Sequence, residues 1–371
     1  MYKFLNYDFY NKIITMIELK DFKEDIHKCS KCGLCQKDCP IYKVTGNDCS
    51  VSRGQFIMLK RFLNGDLKMT KNINRYLSLC LKCGKCSESC PSGVDAVDIL
   101  CAAKYEYYKT RFFERTVSVL QKRILFGIFP DLINIFIPKK KSKKFDKKVL
   151  YFGGCNSKYT GNSSVIKIMN TIGTEVITPN FSCCGMPFLA DGNFDDFRAH
   201  MNNYISILKK YEIKDIVTTC ASCEKTIRDY IKWCDNEDDK TFLKKLNIKN
   251  IYEYLHENNF TLKLKKHLSA TFHKPCNEKH FQDVDYVLNS TENLKYIRAK
   301  DYDKCCGLHG FFNPSEYKTL SKIFKLKRDS ILSTKAEYIL TTCFGCKTAL
   351  NFYSFGKYKT SDLIEFLANN I

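Results

Sequence analysis

The sequence predicts an α+β protein of several domains, in which a helical N-terminal part precedes two α/β units arranged in tandem. Two cysteine-rich runs in the first hundred residues, with apolar residues at helical spacing between them, predict the helical part. From Val149 onward, short apolar strands alternate with amphipathic helices, and the same cysteine pattern returns after about 121 residues. A chain of 371 residues is long enough for two or three hydrophobic cores.

The cysteine content narrows the class of protein. The chain has 21 cysteines, and its N-terminus lacks the continuous apolar core and cleavage site of a secretion signal. We therefore expect a cytoplasmic protein whose reduced thiols hold metal, rather than a disulfide scaffold. Residues 1–19 are predicted to be an N-terminal extension, with either Met1 or Met16 as the true start.

Two runs in the first hundred residues repeat one spacing, C-x2-C-x2-C-x3-C-P, which is typical of two-cluster ferredoxins. Zinc sites usually take two separated cysteine pairs instead. In two-cluster ferredoxins the fourth cysteine of each run ligates the other cluster, so the predicted ligation is crossed. The predicted ligands are Cys29, Cys32, Cys35 and Cys90 for one [4Fe-4S] cluster, and Cys80, Cys83, Cys86 and Cys39 for the other.

Apolar spacing around these runs predicts a helical ferredoxin domain over residues 20–110. Phe56, Leu59 and Phe62 share one face of a helix between the runs, and a second helix is expected to open at Pro91. Cys49 and Cys101 fall outside the cysteine pattern, so we interpret both as small buried side chains.

The α/β units carry ten further cysteines in two matching sets, at intervals of 28, 36 and 3 residues in the first set and 29, 37 and 3 in the second. These intervals predict cysteine-rich domains over 149–262 and 263–371, each with a metal site at the ends of its strands. Five thiols exceed the four that a cubane or zinc ion needs, and a redox-active vicinal disulfide remains an alternative. The predicted ligands are Cys155, Cys183, Cys184, Cys220 and Cys223 in the first domain, and Cys276, Cys305, Cys306, Cys343 and Cys346 in the second.

Positive charge is concentrated in the segment before the repeat. Residues 104–148 hold 13 Lys and Arg against four acids, within a chain of net charge +20. We expect 111–148 to be a basic amphipathic linker that docks on a membrane surface or an acidic partner, or that packs on the protein's own core. The apolar stretch 124–138 is too short to span a membrane, which takes about 20 residues. The segment lacks the patterns of nucleic-acid binders, so we expect no nucleic-acid partner.

The motifs CSKCGLCQKDCP, CLKCGKCSESCPSGV, FGGC, SCCGMP, TTCASC, HKPC, CCGLHG and TTCFGC together resemble the iron–sulfur subunit of glycolate oxidase. They are also similar to the iron–sulfur subunit of anaerobic glycerol-3-phosphate dehydrogenase and to the subunit of heterodisulfide reductase that carries a doubled cysteine-rich unit. The resemblance covers residues 20–355. It implies two [4Fe-4S] clusters in the ferredoxin domain and further clusters, cubane or non-cubane, in the repeat. In heterodisulfide reductase, one sulfur of the adjacent pair bridges irons while its neighbour ligates.

The resemblance has two departures. Before Arg53 and Gly54, the chain has CSVS where family members often carry Asp and Pro, and GLHGFFNPSEY lacks the small Ala-Gly-Thr of many relatives. Both departures bear on the substrate class and leave the cofactors unaffected. His273 and His309 lie near predicted ligands, where they either tune the potential of a cluster or serve in packing.

The chain has no G-x-G-x-x-G turn, P-loop or flavin fingerprint, so we predict no catalytic residue and expect the organic redox chemistry to reside in a partner. The resemblance implies an electron-transfer subunit. It would pass electrons from a flavoprotein that oxidises a 2-hydroxy acid, of the glycolate or lactate type, toward a quinone or another acceptor on the inner face of the cytoplasmic membrane. The alternatives are a glycerol-3-phosphate dehydrogenase subunit, a thiol–disulfide redox protein like heterodisulfide reductase, and a zinc-binding scaffold.

Overall fold

A computed structural model describes residues 18–124, 128–137, 140–308, 316–353, 356 and 358–371. The predicted extension up to residue 17, the choice between Met1 and Met16, and His309 lie outside the described residues. The fold class is confirmed: a helical N-terminal region precedes two α/β domains with parallel sheets. The predicted domain boundaries stay predictions.

The N-terminal region is built of short helices around the two cysteine runs. Its helices are α1 (Lys23–Lys28), α2 (Leu34–Asp38), α3 (Pro40–Thr45), α4 (Ser52–Leu63), α5 (Lys71–Leu79), α6 (Lys85–Glu88) and α7 (Ala96–Lys109), with 3-10 turns at Leu19–Phe22 and Asp48–Ser50. The helix expected to open at Pro91 begins later, at Ala96, because the Asp95 side chain accepts a hydrogen bond from the Val97 amide at 3.1 Å and caps it. Cys101 is buried as predicted, whereas Cys49 is only half-buried.

Two helices, α8 (Phe112–Arg123) and α9 (Phe129–Ile135), connect this region to the repeat. Within the part of the chain that the structure describes, no helix is long and apolar enough to cross a membrane. Many large apolar side chains of α8 and α9 and the residue after them are exposed, including Phe113, Leu120 and Phe136.

The first α/β domain has a four-stranded parallel sheet in the order β2-β1-β3-β4. Its strands are β1 (Lys147–Phe152), β2 (Thr174–Ile177), β3 (Asp215–Thr218) and β4 (Asn247–Asn250). Its helices are α10 (Gly154–Thr160), α11 (Ser163–Thr171), α12 (Met186–Ala190), α13 (Phe194–Leu208), α14 (Ala221–Trp233), α15 (Glu237–Lys244) and α16 (Ile251–Glu257). The apolar residues Val149 to Phe152 of the central strand are all buried, which places this strand in the core.

The second α/β domain repeats this topology, with the order β6-β5-β7-β8. Its strands are β5 (Leu262–His273), β6 (Thr291–Tyr296), β7 (Tyr338–Thr341) and β8 (Lys359–Asp362). Its helices are α17 (Phe281–Asn289), α18 (Tyr317–Leu332), α19 (Phe344–Tyr353) and α20 (Leu363–Asn369). The equal strand order brings equivalent cysteines to equivalent ends of the two sheets.

Shared cores join the three parts. Cys101 and Tyr105 of α7 pack into the core of the first α/β domain, and the buried Lys104 forms an ion pair with Asp191 there. Ile41 and Leu79 pack with Leu320 and Ile323 of the second α/β domain. The N-terminal helices therefore contact both halves of the repeat.

Candidate metal centres

The two N-terminal cysteine runs surround two neighbouring cavities. One cavity is lined by Cys29, Cys32, Cys35 and Cys90 together with Cys86. The other is lined by Cys39, Cys80, Cys83 and Cys86. The structure thus brings each predicted crossed set together around its own cavity, and the fourth cysteine of each run lies beside the other run.

The two loops share one backbone shape. Gly33 and Gly84 have φ angles of 83° and 77°, a left-handed conformation that glycine adopts without strain, and each stands at the N-terminus of a short helix. In the second loop the Lys82 amide donates to the Cys80 sulfur at 3.4 Å. Amides aimed at sulfur are the usual surroundings of cluster ligands, since they offset thiolate charge.

The first turn of α4, residues 52–55 with the sequence SRGQ, lies between the two cavities. The Arg53 backbone hydrogen-bonds the Cys35 sulfur, and the Ser52 side chain hydrogen-bonds the Cys86 sulfur. A Cβ atom at Gly54 would lie 2.1 Å from the Asp48 carbonyl oxygen, so only glycine allows this close approach. The buried Gln55 fixes the turn by donating to the Tyr76 carbonyl at 2.9 Å.

Burial makes charged thiolates costly at these sites. It raises the pKa of Cys39 to about 11 and that of Cys86 to about 12. A bound iron core supplies the positive charge that such thiolates need. The donors are all sulfur, with amide and hydroxyl groups aimed at them, and this set fits iron–sulfur clusters.

The ten cysteines of the repeat form one continuous series of neighbouring side chains. Eight of them are buried, and the two ends of the series are partly exposed. In order of contact, the series is Cys155, Cys183, Cys184, Cys223, Cys220, Cys343, Cys346, Cys306, Cys305 and Cys276. Each predicted set of five is therefore brought together, and the two sets meet at Cys220 and Cys343.

The meeting point is held by groups from both domains. The Ala221 amide donates to the Thr342 carbonyl at 3.2 Å, which joins the loops that precede α14 and α19. The Ser222 hydroxyl lies 3.6 Å from the Cys343 sulfur and accepts a hydrogen bond from Asn277 at 3.1 Å. The two sites are therefore parts of one buried structure.

Local contacts favour thiolate at selected positions. The Cys183 thiol donates to Cys184 and lowers the pKa of Cys184 well below its ordinary value. The equivalent donation from Cys305 lowers the pKa of Cys306 to about 5. The amides of Met186 and Leu308 add further hydrogen bonds to these two sulfurs. In each adjacent pair, the second cysteine therefore favours the thiolate form, which is the form that binds metal.

Gly154 allows the backbone to lie close to the thiols of the first α/β domain. Gly154 has a φ of +55°, and a Cβ atom there would lie 3.1 Å from the Cys223 sulfur. A side chain at this position would therefore require the Cys223 sulfur to move by a few tenths of an ångström.

The N-terminal sites approach the repeat at one end of the series. Burial raises the pKa of Cys83 well above its ordinary value, and the nearby Cys276 raises it further, so the two sulfurs lie within electrostatic range of each other. Two ion pairs join the N-terminal region to the second α/β domain, at 3.8 Å between Lys85 and Asp303 and at 2.8 Å between Arg75 and Glu316. The ferredoxin-type sites are therefore connected to the second α/β domain, at the end opposite to Cys155.

His273 is the buried histidine of the second site. Its side chain is fully buried, and burial lowers its pKa well below the ordinary value, so the ring is neutral. One ring nitrogen lies within 4.8 Å of the sulfurs of Cys306 and Cys346.

Sequence reasoning missed three of these relations: the meeting of the two sites, the contact of Cys83 with Cys276, and the role of Gly154. The repeat carried a signal for the first, because two domains with equal cysteine order can pair symmetrically. The other two depend on long-range packing and have no local signal.

Comparison with protein families matches residues 25–94 to a 4Fe-4S dicluster domain, and residues 149–228 and 270–351 to a cysteine-rich domain named for its CCG motif. The chain is an iron–sulfur protein with several clusters. This iron–sulfur protein joins one dicluster domain to two CCG domains, as the sequence predicted.

Three relatives of this iron–sulfur protein are named as components of oxidoreductases. It is 23% identical to a probable glycolate oxidase iron-sulfur subunit of Bacillus subtilis, over 88% of the chain and 89% of the relative. It is 22% identical to a component of the dihydromethanophenazine:CoB–CoM heterodisulfide reductase of Methanosarcina acetivorans, over 91% and 90%. A component of the CoM/CoB fumarate reductase of Methanothermobacter marburgensis is 23% identical, over 95% and 74%.

Among solved structures, a hypothetical protein from Helicobacter pylori has the same fold. The TM-score is 0.56 at 12% identity, and the match covers 95% of this chain and 75% of the other. This likeness shows the fold, while the relatives from multi-subunit enzymes support electron transfer within an oxidoreductase complex.

Proposed function

We propose that this protein carries electrons from a partner flavoprotein that oxidises a 2-hydroxy acid of the glycolate or lactate type toward a quinone or another membrane acceptor. The observation that carries the proposal is the unbroken sequence of thiol sites, from the two ferredoxin-type cavities through Cys83 and Cys276 to Cys155. Bound clusters would supply one-electron transfer along this sequence.

The proposed ligands are those that the structure brings together. They are Cys29, Cys32, Cys35 and Cys90 for the first ferredoxin cluster, Cys80, Cys83, Cys86 and Cys39 for the second, and the two sets of five in the repeat. Each adjacent pair would supply two of these sulfur ligands, and local hydrogen bonds favour the thiolate form at Cys184 and Cys306.

The name of the Bacillus relative supports the substrate class. A flavoprotein partner is required because hydroxy-acid oxidation needs a hydride acceptor, and the sequence carries no nucleotide-binding fingerprint.

A second candidate function is thiol–disulfide reduction. The name of the Methanosarcina relative includes a heterodisulfide reductase, and the two thiol sites of this chain face each other at Cys220 and Cys343. Reduction of a disulfide to two thiols takes two electrons and two protons, and one-electron clusters in the two sites would supply the two electrons.

We also propose that the linker docks on an anionic membrane surface. The docking face is defined by the exposed apolar side chains of α8, α9 and their flanking residues: Phe113, Val117, Leu120, Ile124, Ile128, Phe129, Leu132, Ile135 and Phe136. Residues 113, 117, 120 and 124 repeat at helical spacing, which forms one stripe. The lysines at 140, 141, 143 and 144 follow directly, and this combination is typical of interfacial helices.

The test uses the complex of this chain with the flavoprotein that co-purifies with it under anaerobic conditions. Glycolate or D-lactate should reduce the clusters, seen by low-temperature EPR, and menadione should re-oxidise them. Reduction by glycerol 3-phosphate alone would contradict the hydroxy-acid assignment. If a dithionite-reduced sample of the isolated chain reduced a disulfide rapidly and menadione slowly, the second candidate would replace the first.

A further inference from the structure

The two halves of the repeat differ at one position beside their thiols. The central strand of the first domain ends in Phe152, three residues before Cys155, and that of the second ends in His273, three residues before Cys276. The two residues are therefore structurally equivalent, and only the second half offers a metal-binding side chain there.

The surroundings of Phe152 are apolar and aromatic. Its ring centroid lies 5.1 Å from that of Phe181 and 5.3 Å from that of Tyr204, and it shares a core with Cys184 and Cys223. The first site is thus enclosed on this side by aromatic rings, which donate nothing to a metal.

His273 occupies the same position toward Cys306 and Cys346, the equivalents of Cys184 and Cys223. The sulfurs of Cys306 and Cys346 are 3.5 Å apart, and a ring nitrogen of His273 lies within 4.8 Å of both. One nitrogen and two sulfurs that converge in this way form a metal ligand set.

Neither ring nitrogen of His273 makes a hydrogen bond of normal geometry with the described residues, although the side chain is fully buried and the Tyr302 backbone lies close to the ring. The nearby Tyr302 carbonyl already accepts a hydrogen bond from Lys327 at 2.7 Å, and the same amine donates to the Asp301 carbonyl at 2.8 Å. A buried polar group without a good hydrogen bond destabilises the folded state, and binding to a metal would offset that cost at His273.

We propose that His273 is a nitrogen ligand to an iron of the cluster in the second α/β domain, together with Cys306 and Cys346. This inference rests on the proposed presence of a cluster in that domain. The two sites would then differ in their ligand sets, because Phe152 offers no ligand atom at the equivalent position of the first site.

Pulsed EPR on the anaerobically purified protein tests the ligand directly. The reduced wild-type protein is compared with protein that contains ¹⁵N-labelled histidine, and the signals of the second site are identified by their loss in Cys346→Ser. We expect a strongly coupled nitrogen on the second-site signal, which changes with the label and disappears in His273→Phe. Phe152→His is the matched gain-of-ligand variant and should add such a coupling to the first-site signal.

Two results overturn the inference and can be told apart. If iron analysis shows a full second site whose signal has no strongly coupled histidine nitrogen, the proposed ligand is wrong while the electron-transfer proposal stands. If the second site holds no iron in wild-type protein, both fail together. The labelled wild-type spectrum decides the question even where His273→Phe fails to fold.

Discussion

The sulfur of Cys343 accepts a hydrogen bond from the thiol of Cys220, across the interface between the two α/β domains. This donation lowers the pKa of Cys343 well below its ordinary value, and both side chains are buried. Cys220 and Cys343 are 123 residues apart in the sequence, and their side chains bring the two thiol sites together. The duplicated domain has thus produced one extended centre rather than two separate ones.

Replacing Cys83 should remove one cluster and slow the transfer of electrons into the thiol sites of the repeat. Cys83→Ser removes a proposed ligand of the second ferredoxin cluster, at the point where that cluster approaches Cys276. We expect a loss of about four irons per chain. We also expect at least tenfold slower reduction of the repeat by the flavoprotein complex, followed by rapid-freeze EPR. Cys49→Ser is the control, because Cys49 lines neither cavity, and its iron content should equal that of wild type. Equal iron in both variants would contradict the ligand assignment.

The sequence predicted the fold class and the grouping of the eighteen proposed ligands because both depend on local patterns. Cysteine spacing fixes which thiols a short loop can bring together, and the recurrence of the spacing identified the repeat. Helix starts were less accurate: Asp95, rather than Pro91, determines where α7 begins. The prediction that Cys49 is buried was wrong. Cys49 is half-buried, because its exposure depends on the packing of the 3-10 turn that contains it.

The sequence did not predict the contacts between domains. The approach of Cys83 to Cys276 joins residues 193 positions apart, and it depends on the docking of the N-terminal helices through Ile41 and Leu320. No local propensity encodes such a contact. The sequence FGGC does not indicate that Gly154 lies close to Cys223, since a glycine at this position also suits an ordinary strand-to-helix turn.

Gly154→Ala should empty the first site of the repeat selectively. An added Cβ would lie 3.1 Å from the Cys223 sulfur, on a backbone with φ of +55° that disfavours other residues. We expect destabilisation by about 1–2 kcal/mol from the backbone and a loss of the first-site iron from the contact. Gly46→Ala is the matched control, since Gly46 has a φ of +62° and nothing within 4 Å of an added Cβ. The control should show the backbone cost in thermal unfolding but keep its iron, and iron loss in both would refute the contact argument.

Removing one partner of the buried ion pair between Lys104 and Asp191 should destabilise the protein far more than replacing both partners by apolar residues. Lys104 is 4% exposed and Asp191 16%, so removing one partner leaves an uncompensated charge in the core between α7 and the first α/β domain. We expect Lys104→Met to lower the free energy of unfolding by about 3–5 kcal/mol, and the double variant Lys104→Met/Asp191→Leu to recover most of that loss. Anaerobic denaturant titration measures both. Lys28→Ala, at an exposed pair with Asp25, should change the free energy of unfolding little, because solvent screens such pairs. A double variant no more stable than Lys104→Met would contradict the prediction.

Asp362 should make the protein less stable as the pH rises. Burial raises the pKa of Asp362 to about 7 in the folded protein, with a further contribution from Glu365, against an unfolded value of roughly 3.9. The folded state therefore holds the extra proton. Its stabilising effect is complete below about pH 4, falls as the pH rises toward 7, and is absent above it.

Asp362→Asn tests this effect without removing the helix cap. The Asp362 side chain accepts a hydrogen bond from the Ile364 amide at 3.0 Å, and asparagine caps helices equally well. We expect the variant to be more stable than wild type at pH 8, by up to about 4 kcal/mol, and to lose the part of the slope between pH 4 and 7 that Asp362 contributes. Glu278, whose pKa burial also raises to about 7, should keep its own part of the slope. An unchanged slope in Asp362→Asn would contradict the prediction.

Charged substitutions on the docking face of α8 and α9 should abolish membrane binding. Leu120 and Phe136 are 55% and 85% exposed, so Leu120→Glu and Phe136→Glu disturb no core, but they place negative charge where acyl chains and anionic headgroups would lie. We expect wild-type protein to co-sediment with phosphatidylglycerol vesicles and not with phosphatidylcholine vesicles. Each variant should bind at least tenfold more weakly, which corresponds to about 1.4 kcal/mol.

The matched control is Leu326→Glu on α18, since Leu326 is 60% exposed but lies outside the docking face. It should bind vesicles as wild type does. Raising the salt concentration from about 0.1 to 1 M should weaken wild-type binding, because the screening length shrinks from about 10 to 3 Å and the lysines at 140–144 lose their attraction. If all three variants bind as wild type does, or if wild type ignores anionic vesicles, the exposed face serves a protein partner instead. Cross-linking through Leu120→Cys within the flavoprotein complex would then identify the protein that covers it.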